Sequence, residues 1–91
     1  MRHAARVDSN QAAIVAALRQ AGARVWIIGL PVDLLVGFRG RLMLMECKVP
    51  KKGRKTALQA EFFREWADMP ISLVDGPQAA LRHLGVMEVV E

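Results

Sequence analysis

The spacing of apolar residues divides the chain into helical and extended segments. Apolar positions recur every three to four residues in three stretches, which is the helical period. Between these stretches lie short runs rich in β-branched and aromatic residues, which are typical of strands. This pattern predicts helices over 9–21, 56–68 or 69, and 77–85, and strands over 23–29, 33–38, 41–49 and 71–74, with the state of 86–90 left open.

The predicted order αβββαβα indicates the α/β class, with a mixed sheet flanked by helices. With 91 residues, of which 53% are hydrophobic, the chain is expected to form one domain spanning residues 1–91. The apolar run Leu42 to Met45 predicts a central strand buried on both faces, and Arg39-Gly40 predicts the turn of a hairpin before it. No apolar run approaches the roughly 20 residues of a membrane span, so we expect no membrane partner. The single cysteine, Cys47, suits the cytoplasm.

The positive charge is concentrated in one stretch. The whole chain carries a net charge of +4, whereas residues 39–55 hold seven cations and one carboxylate, which leaves the remainder of the chain slightly acidic. Such a local surplus indicates a surface that binds a polyanion. The cations expected to contact it are Arg39, Arg41, Lys51, Lys52, Arg54 and Lys55.

Two carboxylates and a lysine are the candidate chemical groups. Strand alternation puts Glu46 and Lys48 on one face of the third strand, with Cys47 on the other. If Arg39-Gly40 is the turn, Asp33 begins the neighbouring strand close to Glu46. Two carboxylates can share a Mg²⁺ ion, and a lysine beside it can position a water or stabilise charge on phosphate. The alternative is that Glu46 and Lys48 form only a surface ion pair without a chemical role.

The chain resembles the PD-(D/E)XK nuclease superfamily. The stretches that carry the resemblance are Asn10-Gln11 with Ile14-Val15 and Leu18-Arg19, Pro31 to Gly37, Met45 to Lys48, and Gln59 with Phe63 and Trp66. The most similar branch is that of the small VRR-NUC and Holliday-junction-resolvase-like nucleases found as standalone phage or prophage proteins. The resemblance implies an αβββαβ restriction-endonuclease-like core and a homodimer. The implied activity is Mg²⁺-dependent cleavage of branched or flapped DNA, with Mn²⁺ able to substitute, in the cytoplasm of a bacterial or phage-infected cell.

The same resemblance implies roles for individual residues. Asp33, Glu46 and the backbone carbonyl of Cys47 would hold the metal, and Lys48 would be the catalytic lysine. The family often adds a glutamate from the first helix, where this chain has Gln11. Either two carboxylates suffice, or Asp8 substitutes, or the affinity for the metal is reduced.

Gln59 has two interpretations. It either faces the site, as the resemblance implies, or closes a capping box with Thr56. The aromatic residues that follow it are expected to pack in the core rather than stack on bases; they are Phe62, Phe63 and Trp66.

Two other functions stay open. The chain is alternatively a catalytically silent nucleic-acid-binding module with the nuclease fold, or a small subunit whose basic loop binds a protein. If it dimerises, the third helix or Val86 to Val90 is expected to supply the interface.

Overall fold

The structure, a computed structural model, describes residues 3–48 and 57–86, with the backbone alone for residues 3–9. Three helices and four strands occur in this part of the chain, in the predicted order. The helices are α1 (His3–Gln20), α2 (Ala57–Glu65) and α3 (Pro77–Leu84). The strands are β1 (Arg24–Ile27), β2 (Leu34–Phe38), β3 (Arg41–Cys47) and β4 (Ile71–Val74).

The strands form one mixed sheet in the order β1-β2-β3-β4. The first three strands are antiparallel neighbours, and β4 runs parallel to β3. The predicted hairpin between β2 and β3 is confirmed, since Phe38 pairs with Arg41 across a two-residue turn. Arg39 and Gly40 both have positive φ, 51° and 81°, which is the backbone of a turn that follows the twist of the strands. The α/β class and the mixed sheet are therefore confirmed.

The core lies on one face of the sheet, beneath α1 and α3. Alternate residues of the central strands point to this face, and the two helices pack against them and against each other. The large side chains that are fully buried are Ile14, Leu18, Val32, Leu34, Val36, Met45, Val74 and Leu84. Gly85, with a φ of 85°, ends α3 where the sequence predicted.

The opposite face of the sheet is covered much less. Met43 and Met45 are buried, but Leu42 is exposed and Leu44 only half-buried. The prediction that this strand is buried on both faces is therefore wrong, because α2, the helix near the second face, is short and buries none of its side chains. Its aromatic rings pack on one another instead, with Phe62 stacked on Trp66 at a centroid distance of 5.2 Å. The expectation that these aromatic residues belong to the core is also wrong.

Helix α1 begins six residues before the predicted start at residue 9. Ala4, Ala5 and Arg6 are good helix formers, and no glycine or proline precedes Asp8, so the helix continues through the predicted N-cap. Asp8 therefore lies inside the helix rather than at its end. In the described part of the chain, no helix combines the length and apolar character needed to cross a membrane.

Candidate functional site

The two candidate carboxylates lie together where β2 begins and β3 ends. The register that pairs Leu34 with Met45 places Asp33 opposite Glu46 in the antiparallel hairpin. Glu46 Oε1 accepts a hydrogen bond from the Asp33 backbone N–H at 3.1 Å, and Asp33 Oδ2 accepts one from the Cys47 N–H at 2.8 Å. Each acid is thus fixed by the backbone of the other strand. The sequence prediction that adjacent strand ends bring these acids together is confirmed.

The pKa of Glu46 is raised from 4.5 to about 7. Burial of the half-buried side chain is the largest cause, because it penalises the charged form. The negative charge of Asp33 is the second cause, and a hydrogen bond between the two carboxyl groups acts in the same direction. The pair therefore favours a shared proton or a bound cation over two free negative charges.

Gln59 of α2 reaches this pair. Its Nε2 donates to Glu46 Oε2 at 3.1 Å and to the carbonyl of Pro31 at 3.2 Å. The amide therefore joins α2 to β3 and to the segment before β2, and the interpretation that Gln59 faces the site is confirmed. Thr56, the partner in the alternative capping box, lies outside the described residues.

Lys48 follows β3 and has an exposed side chain. Its backbone N–H donates to the Val74 carbonyl at 2.8 Å, so the pairing with β4 extends one residue beyond the strand. Strand alternation then places the lysine side chain on the same side of the sheet as Glu46. The ammonium group thus belongs to the same end of the sheet as the acid pair.

Cys47 lies between these two residues but on the packed face, against the core. Burial, with the nearby charges of Asp33 and Glu46, raises the pKa of its thiol to about 12. The thiol therefore stays protonated at neutral pH and is a poor nucleophile. Cys47 thus packs as a small hydrophobic residue, and its N–H serves to orient Asp33.

Helix α1 contacts the site end of β3 through Asn10 rather than Gln11. The Asn10 side-chain Nδ2 donates to the Lys48 carbonyl at 3.3 Å. Gln11 is half-buried and lines a groove with Val15, Arg19, Ile27 and two alanines, beside β1. Sequence reasoning did not include Asn10 in the site, although it continues the stripe of Ile14 and Leu18 by one helical turn.

Two of the predicted cations, Arg39 and Arg41, lie in the described part of the chain. Arg39 and Arg41 lie at the turn end of β3, and about 17 Å of strand separates Arg41 from Glu46. The Arg39 guanidinium lies 4.8 Å from the centroid of the Phe38 ring, and Arg41 Nη2 donates to the Leu84 carbonyl at the end of α3. Neither arginine thus adjoins the acid pair, because the strand runs straight between them. The remaining predicted cations lie outside the described residues: Lys51, Lys52, Arg54 and Lys55.

The donor chemistry of the acid pair suits a hard divalent cation. Mg²⁺ binds through one or two protein carboxylates and keeps several positions for water and phosphate. Asp33 and Glu46 supply two carboxylates, although no group of three or more His, Cys, Asp or Glu side chains suited to hold a metal occurs among the described residues. The side chain of Asp8 lies outside the described part of the chain.

Comparison with known proteins identifies no family for this chain. Neither protein-family models, nor curated proteins, nor solved structures gave a significant match to this chain, so its function is inferred from the geometry of the site.

Proposed function

We propose that this protein is a metal-dependent endonuclease of the PD-(D/E)XK type that hydrolyses phosphodiester bonds in DNA. The observation that carries the proposal is the pair formed by Asp33 and Glu46, fixed across two strand ends and held by Gln59. Two acids in contact at a half-exposed position are costly unless a proton or a cation compensates their charge. A divalent cation bound there would meet substrate phosphate at the surface.

The residues around the pair have complementary roles in this proposal. Asp33 and Glu46 would hold Mg²⁺ or Mn²⁺, with the Cys47 carbonyl as a further oxygen ligand, and the ion would supply Lewis acidity and lower the pKa of a bound water. Gln59 keeps the Glu46 carboxylate oriented through its 3.1 Å hydrogen bond. The exposed ammonium of Lys48 stabilises the negative charge that develops on the phosphate or positions the attacking water.

The order of the elements supports this assignment. The structure runs α1-β1-β2-β3-α2-β4, which agrees with the αβββαβ order of a restriction-endonuclease-like core. The acids come from the start of the second strand and the end of the third, as the resemblance implies. We propose the specific nuclease core on this agreement.

The proposed substrate is DNA with a branch or flap. Lys48, and the basic residues that follow it in the sequence, would contact phosphates, which gives affinity without reading the base sequence. Arg41 and Lys48 mark the two ends of β3. Binding should therefore weaken steeply with salt and depend on the shape of the DNA.

The test is cleavage of a labelled four-way junction, a flap and a linear duplex, each with Mg²⁺, Mn²⁺ or EDTA. We expect cleavage only with a divalent ion, and a loss of about 100-fold or more in rate for Lys48→Ala. The matched control is Arg64→Ala, which removes an exposed positive charge from the end of α2 and should retain the wild-type rate. Cleavage that Lys48→Ala leaves unchanged would identify a contaminating nuclease. Salt-sensitive binding without any cleavage would favour the catalytically silent nucleic-acid-binding module.

A further inference from the structure

The face of the sheet opposite α1 and α3, which we call the open face, carries an exposed tryptophan. Strand alternation and register assign to this face the side chains of Arg24, Trp26, Leu35, Leu42, Leu44, Glu46, Ile71 and Leu73. Trp26 is 72% exposed, an unusual value for the largest apolar side chain, which folded domains bury in most cases. Its ring is therefore available to a ligand.

Trp26 is a close neighbour of the acid pair. It pairs with Leu35 on β2, and the Ile28 N–H donates to the Asp33 carbonyl at 2.9 Å, so β1 stays paired with the chain as far as Asp33. Asp33 comes two residues before Leu35 and is thus diagonal to Trp26 across neighbouring strands, at a distance of about 7–8 Å. The exposed ring therefore adjoins the acid pair on the face that Glu46 shares.

Two cations lie on the same face, one on either side of the ring and the acid pair. Arg24 is exposed and comes two residues before Trp26, about 7 Å along β1. A Cβ placed on Gly37 would lie 4.0 Å from the Arg24 Cβ and 3.8 Å from Leu42, which confirms that these two side chains share a face. Lys48 lies beyond the acid pair at the other end. The open face thus presents a cation, an aromatic ring, two acids and a second cation along one diagonal.

This order of groups matches a single strand of nucleic acid. In such a strand anionic phosphates alternate with apolar base faces, and the bases stack on aromatic side chains while cations contact the backbone. In a duplex the neighbouring base pairs cover the base faces, so a protein ring reaches them only after a base leaves the stack. The open face therefore fits an unpaired strand better than a continuous duplex.

The charges of the open face disfavour an apolar protein surface as its occupant. Such a surface would remove Arg24 and the acid pair from water without pairing their charges, which is costly. A nucleic-acid strand instead offers a phosphate to Arg24 and a base to Trp26. A divalent ion at the acid pair would accept a further phosphate. A single strand thus matches both the apolar and the charged groups of this face.

We propose that Trp26 stacks on a base of an unpaired DNA segment, next to the phosphate at the acid pair, and that Arg24 binds a phosphate of the same segment. In a flap or a branch, the unpaired arm would lie over β1. This inference rests on the proposed function for its ligand, DNA, and adds that the strand is single at the site. Stacking does not require cleavage, so binding can be measured without a divalent ion.

The test is binding of labelled oligonucleotides to the full chain in EDTA, measured by fluorescence anisotropy. The ligands have equal length: a single-stranded oligothymidine, a blunt duplex, and an abasic strand that keeps the phosphates but lacks the bases. Trp26→Ala and Trp26→Leu should each raise the dissociation constant for oligothymidine at least about 5-fold. Trp26→Phe, which keeps an aromatic ring, should raise it less than about 3-fold. None of these variants should change the affinity for the abasic strand or the duplex.

The matched control is Ile27→Ala, at the next residue of β1. Ile27 is 52% exposed and lies on the α1 side of the strand, so this variant should bind oligothymidine as the wild type does. Arg24→Ala should lower the slope of log affinity against log salt concentration by about 0.7, the value for one phosphate contact on a single strand. Far-UV circular dichroism should show that all variants remain folded, because the replaced side chains are exposed.

Equal affinity of the wild type and Trp26→Ala for oligothymidine would overturn the proposal, as would an equal loss for the abasic strand. A wild-type chain that binds no single strand would also overturn it. So would a Trp26→Ala variant that changes the sedimentation mass but not the affinity, since a second copy would then cover the ring.

Failure of the nuclease proposal is distinguishable from failure of this inference. Trp26-dependent binding without cleavage in Mg²⁺ or Mn²⁺ would reject the nuclease and keep the stacking. Cleavage with binding that Trp26→Ala leaves unchanged would reject only the stacking.

Discussion

Replacement of Glu46 by glutamine tests whether the pKa of this carboxyl group is raised in the folded chain, as the structure indicates. The side chain accepts hydrogen bonds from the Asp33 N–H and from Gln59, and its pKa is raised to about 7. Glu46→Gln removes the titrating group and keeps the size of the side chain. The amide oxygen of the variant can still accept the hydrogen bond from the Asp33 N–H. Its amide NH₂ would face the Gln59 NH₂, so the hydrogen bond to Gln59 is lost, at a cost of about 1 kcal/mol in stability at any pH.

The sign of the pH dependence follows from the direction of the shift. The folded chain holds the Glu46 proton more tightly than the unfolded chain, whose pKa is 4.5. The contribution of this group to stability is therefore fully present below pH 4.5 and is lost as the pH rises through about 7. The change from 4.5 to about 7 corresponds to at most about 3 kcal/mol. Solvent screening at a half-exposed side chain reduces this to about 1–2 kcal/mol.

The assay is urea denaturation of the wild type and Glu46→Gln at pH 5, 6, 7 and 8 without divalent ions. The difference in unfolding free energy between the two proteins should shift by about 1–2 kcal/mol in favour of the variant between pH 5 and pH 8. Glu61→Gln, which removes an exposed carboxylate from α2, should retain the wild-type profile. If Glu46→Gln and the wild type lose stability in parallel, the pKa of Glu46 is not raised in the folded chain and the central argument for the site fails.

A divalent ion provides a second measurement on the same two proteins. Binding to the folded chain adds about 1.4 kcal/mol of stability when the ion is present at ten times its dissociation constant. We expect Mg²⁺ or Mn²⁺ to stabilise the wild type at pH 8 and much less at pH 5, where the proton competes. Glu46→Gln should respond weakly at both values. Equal stabilisation of both proteins would place the ion elsewhere.

Two further predictions concern stability alone. Leu34→Ala, at a fully buried position next to Asp33, should lower the unfolding free energy by about 3–5 kcal/mol in urea denaturation, whereas Leu58→Ala at an exposed position should cost less than about 1 kcal/mol. Gly76→Ser should raise the unfolding free energy by up to about 1 kcal/mol, because Gly76 is the extended N-cap of α3 and provides no side-chain acceptor. A thermal midpoint at or below that of the wild type would contradict this prediction.

The regular elements were predictable because local chemistry determines them. Pro77 at the start of α3 and Gly85 at its end act through the conformation of their own residues. The β2–β3 turn is likewise local, although Arg39 adopts a positive φ that the sequence alone did not indicate. The predicted start of α1 was wrong because an aspartate can either cap a helix or lie inside it. The sequence alone does not distinguish these two positions for Asp8.

The contents of the site were predictable only where one hairpin determines them. Asp33 and Glu46 meet because their spacing around Arg39-Gly40 fixes the register. The contact of Asn10 with the Lys48 carbonyl was not predictable, since it depends on how α1 packs across 38 intervening residues. The poor coverage of the sheet face opposite α1 and α3 was not predictable either. Strand periodicity shows which residues share a face, but not whether a helix covers that face.

The alternation of β3 explains why the acid pair can be both fixed and accessible. Met45 and Cys47 point to the packed face and anchor the end of the strand in the core, while the intervening Glu46 points to the face that the helices leave open. Burial of Glu46 on the packed face would exclude any cation from its carboxylate, and full exposure would remove the raised pKa. The incomplete cover of the sheet face opposite α1 and α3 is thus part of the same arrangement that keeps the Glu46 carboxylate accessible. A one-residue slip in this strand would exchange the two faces and place the acid in the core.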